Sequence, residues 1–223
     1  MTNENTILSL INFSPEIVLF LMAMVILMAG IFSFSEKYVF HLTIFSIILA
    51  FLIGIQNYSG ESILIFNEAL IKSEETDFFK FFCYFIFLIQ ILVSKNYLKD
   101  KNLISGEFYS LLVFALIGCF IIISANNLIV LFLGIELSSL SLYSLIALNR
   151  SSVLSSEAAV KYFVLSTIAS GIILFGFSYL YGITGTLSII EIVKFTNNGE
   201  ITNLYLFSYV LIFIGVAFKF AVA

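Results

Sequence analysis

Apolar residues run almost unbroken along this chain. The few polar clusters between them mark off seven long stretches, about 17–34, 38–58, 78–94, 108–124, 126–148, 157–182 and 203–223. Each approaches or exceeds the ~17–25 residues that cross a hydrocarbon core. The third is the weakest and sits at the lower bound. Lipid offers the backbone no hydrogen-bond partners, so all seven are expected to be helices. Ser124, Ala125 and Asn126 make the whole connection between the fourth and fifth. Ser155 or Ser156 is the expected N-cap of the sixth. In GTLSIIEIVK, residues 185–194, Leu187, Ile190 and Val193 recur one helical turn apart while Glu191 and Lys194 are polar. A short amphipathic helix lying on the membrane surface fits that spacing, and an ordinary loop is the other reading.

The polar clusters also orient the chain. One set of loops carries Lys37, Lys95, Lys99, Lys101 and Arg150 in short connections, and the opposite set carries Lys72, Lys80 and Lys194. The excess of basic residues in short loops places the first set on the inner side. The acid-rich loop with Glu61, Glu68, Glu74, Glu75 and Asp77 then lies outside, together with the N-terminus. That N-terminus, MTNENTILSL, has neither a basic signal region nor an Arg-rich transit pattern. Insertion is expected to begin with the first helix.

Composition agrees with a lipid-solvated chain. The 223 residues are 61% hydrophobic and only 11% charged, against about 25% charged in soluble domains. Mean hydropathy is +1.12. No basic patch points to nucleic acid. Cys83 and Cys119 each lie inside an apolar run and form neither a metal spacing nor a disulfide framework. His41 has no ligand partner at suitable spacing and reads as interfacial. The chain carries no cysteine cluster for iron–sulfur centres and no G-x-G-x-x-G for a flavin or nicotinamide, so no cofactor is expected in it. The bias toward Phe, Ile and Asn, with no Trp and one Pro, resembles the product of an AT-rich genome.

Against this background one charge stands out. Glu136 sits in the middle of NNLIVLFLGIELSSLSLYSLIAL, with about ten uncharged neighbours on either side. At 1.5 Å per residue it lies roughly 15 Å from either helix end, at the bilayer midplane. An ionised carboxylate there costs at least ~2.5 kcal/mol, so the group is expected to be used. Ser139, Leu140 and Tyr143 share its helix face, and their two hydroxyls could hydrogen-bond the carboxyl or order water. A protonated Glu136 locking two helices together is the bland alternative.

Lys161 and Lys219 lie in the next two spans. Lys161 is only about two turns into its helix, so it could snorkel or pair with Glu157 four residues earlier. The apolar run AAVKYFVLS favours a functional reading. Lys219 is about sixteen residues into the last span and reads either as buried or as reaching the inner interface. Buried lysines and carboxylates shift each other's proton affinity when they approach or separate, and such chains are the usual material of proton relays. Glu107 reads as a solvated helix-end acid. Gly171, Gly176, Gly182 and Gly185 allow close helix approach or local irregularity.

The runs ISANNLIVLFLGIELSSLSLYSLIAL, SSEAAVKYFVLSTIASGIILFGFSYLYGITGT and IGVAFKFAVA resemble the antiporter-like subunits of proton-pumping NADH:ubiquinone oxidoreductase (complex I), nearest to its subunit 2, called subunit N in bacteria. That group is related to the Mrp cation/proton antiporters. The resemblance is strong over 107–223 and looser over 1–106. It implies an all-α polytopic membrane protein, the first half of an inverted-repeat bundle. Residues 1–106 would be three leading transmembrane helices and 107–223 a first antiporter-like repeat ending in a broken seventh helix. It further implies that Glu136, Lys161 and Lys219 form a proton half-channel, Glu136 modulating the paired lysine.

The implied setting is the membrane arm of complex I, in the mitochondrial inner membrane with the N-terminus toward the intermembrane space. A bacterial inner membrane with a periplasmic N-terminus is the alternative. Implied partners are the other membrane-arm subunits and lipid. Family members continue past the lysine into about seven more helices, so the chain reads either as a truncation or as one product of a split gene, and a second chain supplying that half is the expected case. An Mrp-like antiporter subunit and a structural subunit with a vestigial channel are the competing functions.

Overall fold

The computed structural model describes residues 3–32, 36–58, 60–100, 105–197 and 202–222. Lys101, one of the basic residues assigned to the inner side, lies outside them. Among the described residues, seven helices are long and apolar enough to cross a membrane. They are α2 (Ser14–Ile31), α3 (Glu36–Gln56), α4 (Glu74–Asp100), α5 (Gly106–Ser124), α6 (Leu128–Ile146), α7 (Val153–Thr184) and α9 (Asn203–Val222). The described residues also form two shorter helices, α1 (Asn3–Asn12) and α8 (Ile189–Asn197), and a small hairpin of β1 (Ile63–Ile65) and β2 (Leu70–Lys72). All seven expected spans are present. The third is much longer than its apolar run, because α4 continues through the charged residues at both ends of it.

α5 is apolar all round, and a helix of that kind belongs inside. Tyr109, Leu112, Val113, Leu116 and Phe120 are each at most 2% exposed. α2, α3 and α4 pack around it with Leu19, Ile26, Ile47, Tyr84 and Ile91 in one core. α4 turns Phe78, Phe79, Phe82 and Phe85 outward, the side that lipid solvates. A second core joins Leu128 of α6, Ile173, Phe177 and Leu180 of α7, Ile192 of α8 and Tyr205 of α9.

One end of the bundle is tied by Asn126, which is 1% exposed in the short connection between α5 and α6. Its backbone N–H donates to Ala69 O at 3.0 Å and its Nδ2 to Glu68 O at 2.7 Å. Its carbonyl accepts from Ile189 N at 2.7 Å and its Oδ1 from Ile190 N at 3.3 Å. One side chain and its backbone thus satisfy the hairpin turn and the first turn of α8 together. Such satisfaction is needed because orphan helix N–H groups are costly when buried. The hairpin turn puts Phe66, Asn67 and Glu68 in the left-handed region, with φ of 53°, 54° and 64°. Asn tolerates that conformation and the other two are strained by about 1–2 kcal/mol each.

Three local expectations are corrected. The N-cap of α7 is Ser152, whose hydroxyl accepts from Ser155 N at 3.3 Å. Ser155 is already inside the helix and its hydroxyl donates to Ile146 O. The amphipathic helix exists but begins at Ile189, because Gly185 ends α7 with φ +69° and Ser188 bridges to Asn127 before α8 can start. Its buried residue is Ile192, while Val193 is half exposed. Finally, Lys72 and Lys80 are not solvated loop cations: Lys72 is 4% exposed and Lys80 lies within α4. At the other end of the bundle the charged residues are more accessible. Glu107 and Arg150 are exposed and approach to 3.6 Å, and Lys95 lies 4.1 Å over the Phe40 ring.

Candidate proton-relay site

Glu136 is the ninth residue of the nineteen-residue α6, so its carboxyl starts near the middle of the span. Two helices bring partners to it. α9 carries Lys219 on its last turn, and Lys219 Nζ donates to Glu136 Oε1 at 2.7 Å. α7 carries Ser170, whose hydroxyl also reaches Glu136 Oε1. Ser170 Oγ lies 3.0 Å from Ser166 O as well, so its one hydrogen is divided between a charged and a neutral acceptor. Ser139, one turn along from Glu136, accepts from Lys219 Nζ at 3.2 Å. The carboxylate side chain is 23% exposed and the ammonium side chain 12%. The pair is therefore mostly removed from the surface, and in that setting a lone ammonium would be poorly solvated.

The expected hydroxyls are redistributed. Ser139 serves the lysine instead of the carboxyl. Tyr143 is buried at 6% exposure, stacks edge-on against Tyr162 at 4.8 Å and has no hydrogen-bond partner for its OH among the described residues. The hydroxyl on the carboxyl comes from α7, from a residue that the sequence reading passed over. A signal for it was present: Ser166 and Ser170 recur at i and i+4 on a transmembrane helix, and both are at most 5% exposed.

Lys161 is not brought to this cluster. Its Nζ meets Glu157 Oε1, four residues back on α7, and the two side chains are 70% and 53% exposed. That is the surface pair that the spacing allowed. Ser170 is nine residues further along the same helix, roughly 13 Å away. Lys161 thus marks the opening end of α7 while Lys219 marks the buried pair.

The position of Lys219 depends on how closely α9 approaches α7. A Cβ on Gly176 would meet Ile212 Cγ1 at 2.6 Å, and one on Gly215 would meet Ile173 Cγ1 at 2.5 Å. Each glycine of one helix receives an isoleucine of the other, and Lys219 follows Gly215 by one turn. Of the other glycines, Gly171 and Gly182 face open space. Gly176→Leu is expected to push α9 outward and separate Lys219 from Glu136. Cysteines placed at Ser139 and Lys219 should then crosslink at least several-fold less efficiently than they do beside Gly176.

A second charged cluster lies at the start of α2 and α4. Glu16, 2% exposed, accepts from Lys80 Nζ at 2.6 Å. Lys72 donates to Asn12 Oδ1 at 3.1 Å and to Asn57 O, and burial pushes its ammonium below the usual lysine range. Nothing near Glu16 in the sequence marks it, because an acid in the first turn of a helix is ordinarily a dipole partner. Cys83 and Cys119 are free and half-buried among apolar neighbours, and exposed His41 bonds Lys37 O through Nδ1 at 2.6 Å.

Residues 125–223 match the family model described as NADH:quinone oxidoreductase/Mrp antiporter, transmembrane. The chain is 37% identical over 208 residues to NADH-quinone oxidoreductase subunit N of Nitrosomonas europaea, covering 92% of this chain and 43% of that protein. It is 34% identical over 221 residues to the protein of the same name from Thiobacillus denitrificans, covering 96% and 46%. The chain thus spans less than half the length of these relatives. Among solved structures, respiratory complex I from Thermus thermophilus with bound aureothin superimposes with a TM-score of 0.73 at 21% identity, covering 92% of this chain and 45% of that one. An archaeal membrane-bound sulfane sulfur reductase gives 0.75 at 19% identity, covering 94% and 44%.

Proposed function

Since this chain is a homologue of subunit N of NADH-quinone oxidoreductase, and its residues 125–223 belong to the NADH:quinone oxidoreductase/Mrp antiporter transmembrane family, we propose that it forms one proton half-channel in the membrane arm of respiratory complex I. The observation that carries this reading is the Glu136–Lys219 pair, held at 2.7 Å between two membrane-spanning helices. An ammonium beside a carboxylate keeps its proton; one left alone in a low-dielectric site gives it up more readily. Moving Glu136 and Lys219 apart therefore loosens the proton on Lys219, and bringing them together restores it. Ser139 and Ser170 orient the two groups. We assign Lys161, exposed beside Glu157, to the inner mouth of the same relay, where it would gather protons before they reach the buried pair.

No redox step is assigned to this chain. We place electron transfer in other subunits of the complex. The pump would then be driven from a distance, by conformational or electrostatic coupling to quinone reduction. The proposed partners are the neighbouring membrane-arm subunits, lipid, and whatever polypeptide supplies the remaining length of the relatives. The proposed location is an energy-transducing inner membrane, mitochondrial or bacterial, with α1 and the hairpin on the outer face.

A subunit of an Mrp-like cation/proton antiporter is the second reading, favoured by a family model that covers both classes. Affinity purification separates them. Tagged chain extracted in mild detergent is expected to bring down NADH-oxidising and iron–sulfur subunits in stoichiometric amounts. Recovery with other antiporter-like subunits alone, and without NADH-oxidising activity, would remove complex I from consideration.

A further inference from the structure

Between the starts of α2 and α4 lies a small cavity of about 20 Å³, away from the Glu136–Lys219 pair. That is room for one water, which needs roughly 10–15 Å³ and two to four polar partners. The partners are already in the wall. Glu16, Asp77 and Tyr84 line this cavity, and Glu16 Oε2, Asp77 Oδ2 and Tyr84 OH are buried with no hydrogen-bond partner among the described residues. Their residues are 2%, 6% and 2% exposed. Cations are close by: Lys80 Nζ sits 2.6 Å from Glu16 Oε1, and Lys72 lines the same cavity as Asp77.

Leaving three buried polar atoms unpaired would cost about 1–3 kcal/mol each. Water has the valence to satisfy all three. It donates one hydrogen to each carboxylate oxygen and accepts the phenol's hydrogen on its own oxygen. A metal cation fits the same space less well. The two carboxylates are already balanced by Lys72 and Lys80, and a cation would face the phenolic hydrogen and both ammonium groups. We propose that this cavity is a built binding site for one ordered water molecule, hydrogen-bonded to Glu16 Oε2, Asp77 Oδ2 and Tyr84 OH. The water links the carboxylate of α2 to that of α4. With Lys80 on Glu16 and Lys72 on Asn12 and Asn57, it closes one hydrogen-bonded junction around the ends of α1, α2 and α3, the hairpin and α4.

Radiolytic hydroxyl-radical footprinting of the assembled membrane complex reads such a water directly, because radicals form from water held beside the target. Tyr109 is as buried as Tyr84, at 0% against 2%, and lines no part of this cavity. Tyr84 is expected to oxidise several-fold faster than Tyr109. Doubly substituted Glu16→Leu/Lys80→Met complex is expected to lose that excess. Equal slow rates at the two tyrosines in the native complex would overturn the proposal. Should the double variant not assemble, a density map of the native complex fine enough to show solvent decides the matter. A single peak within hydrogen-bond distance of the three atoms, the same in sodium and in potassium buffer, is the expected result. An empty cavity or a sodium-dependent peak would overturn it.

Discussion

Glu136→Gln is expected to slow proton translocation roughly ten- to a hundredfold in the assembled complex, while the complex still forms and still binds quinone. The size follows from the pair at 2.7 Å. Glutamine keeps the shape and an oxygen that can accept from Lys219 and Ser170, so the packing of α6 against α7 and α9 is retained. What is lost is the negative charge. A hydrogen bond to a charged partner contributes ~1.5–3 kcal/mol, and each ~1.4 kcal/mol is a factor of ten in rate. Lys219→Ala should be at least as damaging, since it removes the proton carrier and leaves the carboxylate without its cation. The measurement is proton uptake per NADH oxidised in proteoliposomes, with assembly checked on native gels. Unchanged pumping by both variants with normal assembly would eliminate the relay role and leave Glu136 as an interhelical lock.

The second large effect concerns stability. Lys80→Met is expected to destabilise the α2–α4 region by about 3–5 kcal/mol, because it strands a carboxylate that is 2% exposed. Glu16→Leu alone should be damaging for the converse reason. Combining the two should recover most of the loss, since a buried ion pair replaced by apolar side chains of similar volume is often neutral or stabilising. Thermal inactivation of the purified complex compares all four proteins in one cycle. If the double variant is as unstable as the sum of the singles, the pair is not energetically coupled and the argument from burial fails.

The spans were legible because lipid imposes one simple demand, a long apolar helix, and the sequence meets it seven times. Glu136 was legible for the same reason, as a charge where none belongs. What escaped was whatever depends on two distant segments at once. Ser170 meets Glu136 across thirty-four positions, and Lys80 meets Glu16 across sixty-four. The start of α8 is set by Asn126, which reads in sequence as part of a tight turn and nothing more. The hairpin at 63–72 was hidden because its turn is left-handed at three successive non-glycine residues, a conformation held by bonds from elsewhere. Lys161 was the opposite case: both of its readings were visible, and the structure selects the local pair with Glu157.

The interlock of α7 and α9 bears on how the buried pair opens. Ile212 is seated at Gly176 and Ile173 at Gly215, so the two helices mesh like teeth. Close-packed surfaces of this kind are bistable and do not stretch continuously. α9 cannot creep along α7 by a fraction of a turn; it must leave one notch and enter another, about 5.4 Å away, or lift off altogether. Lys219 rides on that rack one turn beyond Gly215. Contact between Lys219 and Glu136 is then expected to be made or broken in a step, a latch of the kind the proposed relay needs if protons are not to leak while the helices fluctuate.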